Sequence, residues 1–146
     1  MDCPICAKHR GEGPLVGPIV WEDEHCLVFH APLGGQDTVF LGYLFLETRR
    51  HVPYLADLDD AEAAAIGRVA SRLARGLRTE LRADFVFSAI VGTGVAHFHQ
   101  HLFARHPGTP AEYRWMNSHE WPDAPRGTGQ QVTELCARLR SYLEQT

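Results

Sequence analysis

Hydrophobic residues along this chain follow two different periods. Up to His51 they come in short runs rich in Val, Leu, Phe and Tyr. "IVWEDEHCLVFHAP" holds two such runs around the charged turn Glu22-Asp23-Glu24, which predicts a β-hairpin. "APLGGQD" reads as a loop, and "TVFLGYLFLETRRH" as the strongest single strand. From Asp59 the period changes: Ile66, Val69, Ala70, Leu73, Leu77 and Leu81 recur at three- and four-residue spacing. With Asp59 as N-cap and Glu62 three residues later, the pattern predicts a long amphipathic helix over about 59–82. Its arginines at 68, 72, 75, 78 and 82 fall on the solvated face.

The strand period then returns in "DFVFSAIV" and "VAHFHQHLFAR", separated by the glycine-bounded turn Gly92-Thr93-Gly94, so these two form an antiparallel pair. Four prolines between 107 and 127 make 106–127 an irregular segment. Val132, Leu135, Cys136, Leu139 and Leu143 then line one face of a C-terminal helix over about 128–144. The order strands, helix, strands, helix predicts an α+β fold with an antiparallel sheet, one domain over 1–146. A chain of 146 residues is long enough to bury one proper core.

Composition narrows the partners. The chain is 45% hydrophobic with a formal charge of −4, so it has no polybasic footprint for nucleic acid or acidic membrane. No apolar run approaches the roughly 20 residues of a membrane span. "MDCPIC" has neither the charged nor the apolar region of a signal peptide, and the expected location is cytoplasmic. In that compartment Cys3-Pro-Ile-Cys6 reads as a metal or redox motif before it reads as a disulfide. A redox motif belongs at a strand-to-helix junction, whereas this one lies at the start of the sequence, which favours zinc. Cys26 and Cys136 sit in apolar surroundings and are expected in the core.

Three histidines carry the strongest chemical signal. Strand alternation puts His97, His99 and His101 on one face, with Phe98, Gln100 and Leu102 on the other. A lone histidine is usually a satisfied core residue; three in strict alternation are not. One reading is a three-histidine metal centre with an open water position. The other makes one histidine a nucleophile and its neighbours orienting and proton-handling groups. Cys3 and Cys6 need two further ligands for a closed zinc site, and His9 alone would leave one missing. If zinc takes the cysteines and one or two of the histidines, at least two triad members are left without a metal, and the pattern leans away from a three-histidine centre.

His97-Phe98-His99-Gln100-His101-Leu102-Phe103 resembles the motif of the histidine triad (HIT) family, His-φ-His-φ-His-φ-φ with φ apolar. Gln100 departs from it, and Arg105 matches an arginine common just after it. "GYLFLETRRHV" from Gly42 resembles the family's Gly-His-…-Pro-Lys-x-His-Val segment; "GTGVAH" and "WEDEHCLVF" extend the likeness to about residues 1–105. The resemblance implies a HIT-like fold and a homodimer. It also implies a nucleotide hydrolase or transferase that cleaves a phosphorus ester, anhydride or amide. His99 would attack phosphorus and form a covalent intermediate, assisted by His101. Neutral imidazole suits this work, because its ordinary pKa of about 6.5 leaves it mostly unprotonated near pH 7. Gly92, Thr93, Gly94, Val95 and Arg105 would bind substrate. Zinc-bearing members hold a structural zinc on two cysteines and two histidines, which implies Cys3, Cys6, His51 and His97 here. The alternatives are transfer to a second substrate, nucleotide binding with little turnover, and lastly the three-histidine metal hydrolase.

The likeness weakens at the nucleoside. An acidic residue expected after Phe29-His30 is Ala31, and the strand before the triad lacks an asparagine, with Ser88 a partial substitute. The turn's serine is Gly94. His106 and His119, each taken alone, are expected at the surface. Trp115 and Trp121 suit a substrate lid or apolar packing.

Overall fold

The computed structural model describes residues 2–145; Met1 and Thr146, the ends of the expected 1–146 domain, lie outside the described residues. A short helix α1 (Pro4–His9) precedes the hairpin β1 (Ile19–Glu22) and β2 (Cys26–His30). β3 (Val39–Phe40), β4 (Tyr43–Thr48) and the long helix α2 (Asp60–Leu81) follow. β5 (Phe85–Ala89), β6 (His99–Arg105), β7 (Arg126–Gly127) and α3 (Gly129–Glu144) complete the chain. Five strands form one antiparallel sheet in the order β1-β2-β4-β6-β5, while β3 and β7 pair separately. The fold is α+β with an antiparallel sheet, as the order of elements predicts.

Both long helices start where their sequences can satisfy the free N–H groups. Asp59 accepts from the Glu62 N–H at 2.7 Å and Glu62 returns the bond to the Asp59 N–H; Thr128 and Gln131 repeat the arrangement at α3. The apolar stripes of α2 and α3 cover one face of the sheet, burying Leu73, Leu77, Leu135 and Leu139 against Val28, Leu44, Leu46 and Leu102. Cys26 and Cys136 belong to this core as expected, and burial pushes the Cys26 thiol up to about 12, leaving it an inert apolar filler.

Several local expectations are corrected. The strand foreseen across 38–51 breaks at Gly42, whose φ of +89° lies in the left-handed region. A Cβ there would lie 2.6 Å from Leu81 Cδ1, so only glycine lets the chain pass α2 at that point. β6 begins at His99, so His97 lies just before the strand instead of within it. The residues behind Cys3 form α1, and the proline-rich segment contains a 3-10 turn at Ser118–Glu120 and β7.

Candidate metal centre and histidine site

Cys3, Cys6, His51 and His97 converge, their ligand atoms all within 4.8 Å of one another. Pro4 opens α1 and the Cys6 N–H points at Cys3 Sγ (3.5 Å), so one helical turn places both sulfurs on the same side. His51 follows the end of β4 and His97 precedes β6, two neighbouring strands. Four edges of the group are 3.5 Å for Cys3 Sγ–His97 Nδ1, 3.5 Å for Cys6 Sγ–His97 Nδ1, 3.4 Å for Cys6 Sγ–His51 Nδ1 and 3.2 Å for His51 Nδ1–His97 Nδ1. Zinc bond lengths of about 2.3 Å to sulfur and about 2.0–2.1 Å to nitrogen give tetrahedral edges of about 3.6 Å and about 3.3 Å. The four residues therefore fit a tetrahedral ion. His97 Nε2–H donates to the Thr48 carbonyl at 2.7 Å, which fixes the ring and leaves the Nδ1 lone pair for the metal. Burial holds the His97 pKa down, keeping the imidazole in the neutral form that ligation needs.

His99 and His101 do not join that group. They project from β6 with ring centroids 5.2 Å apart. His99 Nδ1–H donates to the His97 carbonyl at 2.7 Å, so its Nε2 keeps a free lone pair. His101 Nδ1 lies 3.1 Å from the Tyr43 hydroxyl. Burial raises the Tyr43 pKa and keeps the phenol protonated. Burial, followed by the neighbouring His99 and His119, lowers that of His101. The protonated phenol can donate to Nδ1 of the neutral ring, the arrangement that places the His101 proton on Nε2. His99 and His101 line a cavity of about 140 Å³ with Val95, Phe45, Glu47 and Lys8.

The remaining expected site residues are distributed unevenly. Val95 lines the cavity, whereas Gly92 (φ +75°) and its neighbours Thr93 and Gly94 form the bends leading to it. The Arg105 guanidinium donates to the carbonyls of Thr109 (3.2 Å), Pro110 (3.0 Å) and Tyr113, tying the loop after β6 back onto the strand. Gln100 and Ser88 explain each other: Gln100 Nε2 donates to Ser88 Oγ at 2.8 Å, and Ser88 donates to the His101 carbonyl at 2.9 Å. His106 is buried, not at the surface, with Nε2–H donating to the Leu41 carbonyl at 2.7 Å. His119 is half-buried and packs edge-on against Tyr43 and Phe103. Trp121 packs on the cluster of Phe40, Phe103 and Ala124, whereas Trp115 stays exposed.

Sequence reasoning passed over one cluster. Glu47 is almost wholly buried, ion-paired with Lys8 and bonded by His9 Nε2 at 3.0 Å. The Lys8 ammonium also lies over the rings of Phe29 (4.6 Å) and Phe45 (5.2 Å). A signal was available: alternation along "YLFLET" puts Tyr43, Phe45 and Glu47 on one face, and a lone acid in an apolar strand needs a partner.

Residues 16–108 match the HIT domain, and the chain belongs to the HIT domain family. It is similar to a zinc-bound histidine triad family protein of Mycobacterium smegmatis at 26% identity and TM-score 0.66, over 99% of this chain and 95% of that one. It also resembles a HIT-like protein of Bartonella henselae involved in cell-cycle regulation, at 16% identity and TM-score 0.67, covering 97% and 96%. A hypothetical histidine triad nucleotide-binding protein of Sulfolobus tokodaii aligns at 18% identity and TM-score 0.68, over 97% and 92%. No curated protein matches the chain. Cys3, Cys6, His51 and His97 place it with the zinc-bearing members. Among the described residues, no helix is long and apolar enough to cross a membrane.

Proposed function

We propose that this protein is a nucleotide hydrolase or transferase that works through a covalent intermediate on His99. The observation that carries the reading is the hydrogen bond from His99 Nδ1–H to the His97 carbonyl, which in the neutral ring puts the lone pair on Nε2, with His99 lining the same cavity as His101. In the first step the Nε2 lone pair forms a bond to phosphorus, and the bond to the leaving group breaks with its electron pair. His101, carrying its proton on Nε2 through the Tyr43 contact, donates to a phosphoryl oxygen or to the departing group. Water or a second substrate then displaces the histidine and restores the neutral ring.

Zinc in this reading is structural. Cys3, Cys6, His51 and His97 would close its coordination, and the bound ion would tie His97, two residues before His99, to α1. Gly92, Thr93, Gly94 and Val95 would border the phosphate, and of these Val95 lines the cavity with the two histidines. Arg105 serves the loop at 109–113 and contributes to the site through that anchorage. Exposed Phe85 on the edge strand β5 and exposed Ile90 and Val91 just after it support the homodimer.

The test is intact-mass analysis after incubation with mononucleotide phosphoramidates and dinucleoside polyphosphates. A nucleotidyl adduct on the wild type that is absent from His99→Ala is expected. No adduct and no turnover, with His99→Ala behaving like the wild type, would sink the enzyme reading. Activity that survives His99→Ala but is abolished by chelation would favour a metal-dependent hydrolase instead.

A further inference from the structure

Helix α1 is tied to the sheet at both ends, and the two ties differ in chemistry. At its C-terminal end Lys8 and His9 hold opposite oxygens of the buried Glu47 carboxylate. At its N-terminal end the tie runs through Cys3 and Cys6 to His51 and His97. A mild oxidant leaves ammonium and carboxylate alone, whereas sulfur is open to it.

Access and charge single out these two sulfurs among the four cysteines. Cys26 and Cys136 are 0% and 5% exposed, and burial pushes their thiols up to about 12 and about 11. Both stay protonated near neutral pH, and it is the thiolate that reacts. Cys3 and Cys6 are half-buried, their neighbour His51 is exposed, and ligation to a metal holds both sulfurs as thiolates. The two sulfurs lie within 4.8 Å of each other in one helical turn, so a bond between them asks nothing of the sheet.

We propose that Cys3 and Cys6 form a peroxide-sensitive switch that releases zinc and loosens the α1 wall of the histidine cavity. Cys6 Sγ, on the outer edge beside His51, attacks a peroxide oxygen; the O–O bond breaks, hydroxide leaves and a sulfenic acid forms. Cys3 Sγ then attacks that sulfur, closing the disulfide and expelling a second hydroxide. Two thiolates have given up two electrons, and hydrogen peroxide has become two hydroxide ions. His51 and His97 are left as a two-ligand site, which lets the zinc go. α1 lends Ile5 and Lys8 to the cavity of His99 and His101. Six residues cannot hold a helix unaided, so the first turn opens while Glu47 keeps Lys8 and His9 in place. His97 retains its Thr48 bond, so a reductant and zinc rebuild the group. The effect on catalysis rests on the His99 reading; the oxidation does not.

Hydrogen peroxide added to the zinc-loaded protein tests this, with glutathione in a parallel sample to gauge the oxidant. One equivalent of zinc should reach a chromophoric chelator as the mass of the denatured chain falls by two hydrogens. Peptide mapping should join Cys3 to Cys6. Amide exchange at Ala7, whose N–H donates to the Cys3 carbonyl at 2.9 Å, should quicken at least about tenfold while β6 stays protected. Formation of the His99 adduct should slow at least about tenfold, and dithiothreitol with zinc should restore both rates. A Cys26→Ala/Cys136→Ala variant should release zinc as the wild type does; if it fails to fold, the wild-type peptide map decides. Three results would each overturn the proposal and leave the His99 mechanism standing: zinc retained after the glutathione is consumed, zinc lost with no Cys3–Cys6 link, or either rate unchanged after release. No adduct from the untreated protein, with zinc release and α1 opening as expected, overturns the His99 mechanism and leaves the oxidation standing.

Discussion

His30 is fully buried at the end of β2, and its two ring nitrogens have opposite tasks. Nδ1–H donates to the Ala31 carbonyl at 2.9 Å, while Nε2 accepts from the Gly42 N–H at 3.0 Å. Protonating Nε2 would set a donor against a donor in a dry interior. Burial accordingly lowers the His30 pKa below the ordinary histidine value. As pH falls through the unfolded value of about 6.5, the unfolded chain takes up a proton that the folded chain refuses. Stability from His30 is thus complete above about pH 6.5 and is lost as pH drops toward the folded value. One such group changes stability by at most about 1.4 kcal/mol per pH unit. Urea unfolding of the zinc-loaded protein at pH 7.5 and 5.5 reads the loss. His30→Gln supplies an amide oxygen for Gly42 and an amide N–H for Ala31 without titrating. Its stability at pH 7.5 should fall by no more than about 1.5 kcal/mol. Its additional loss on going to pH 5.5 should be about 1 kcal/mol smaller than that of the wild type. Burial also lowers the pKa values of His97, His101 and His106, but these residues are common to both proteins and cancel in the difference. An equal acid loss in the two proteins would refute the assignment of His30 as a neutral acceptor.

Other consequences can be measured directly. Cys3→Ser should take bound zinc, read by metal analysis, from one equivalent to none. Its melting temperature should fall by several degrees, since 1 kcal/mol moves it about 2–4 °C in a chain of this size. Gly42→Ala forces a left-handed φ on a side chain that overlaps Leu81, and should cost about 2–4 kcal/mol in chemical denaturation. Tyr43→Phe leaves the fold intact and removes the donor to His101 Nδ1, so kcat/KM should fall about 3- to 10-fold, the worth of one hydrogen bond. A Tyr43→Phe enzyme with unchanged kinetics would remove Tyr43 from the proton-handling role.

What could be read in advance depended on whether the responsible interaction was local. The long helix announced itself through Asp59 and Glu62 and a stripe of aliphatic residues, all within its own turns. The hairpin and the triad strand were equally legible, because alternation is a property of neighbours in sequence. Gly42 was not read as a break, since the reason for it is Leu81, far along the chain. Likewise the alternate spacing of His97 with His99 fits a strand that the backbone does not form there. The contacts of Phe98 with Val52 and Thr48 instead hold that backbone across the end of β4. His106 illustrates the same limit: its burial depends on the Leu41 carbonyl, which no local pattern reveals. The metal ligands were identified by likeness to known proteins, and here geometry adds the Thr48 contact that orients His97.

The shortness of α1 separates the molecule into parts with different tolerance for change. Six residues are far too few to hold a helix by themselves, so its shape is borrowed from the cysteine–histidine group and from the Glu47 ion pair. The strand bearing His99 and His101 draws its order from ladders on both sides and needs neither. Residues 3–9 therefore form a wall of the cavity whose order is set separately from that of the strand carrying the chemistry. Redesign of Ile5 and Lys8 can reshape what the cavity accepts while the chemistry on β6 stays in place, provided the two cysteines keep their grip.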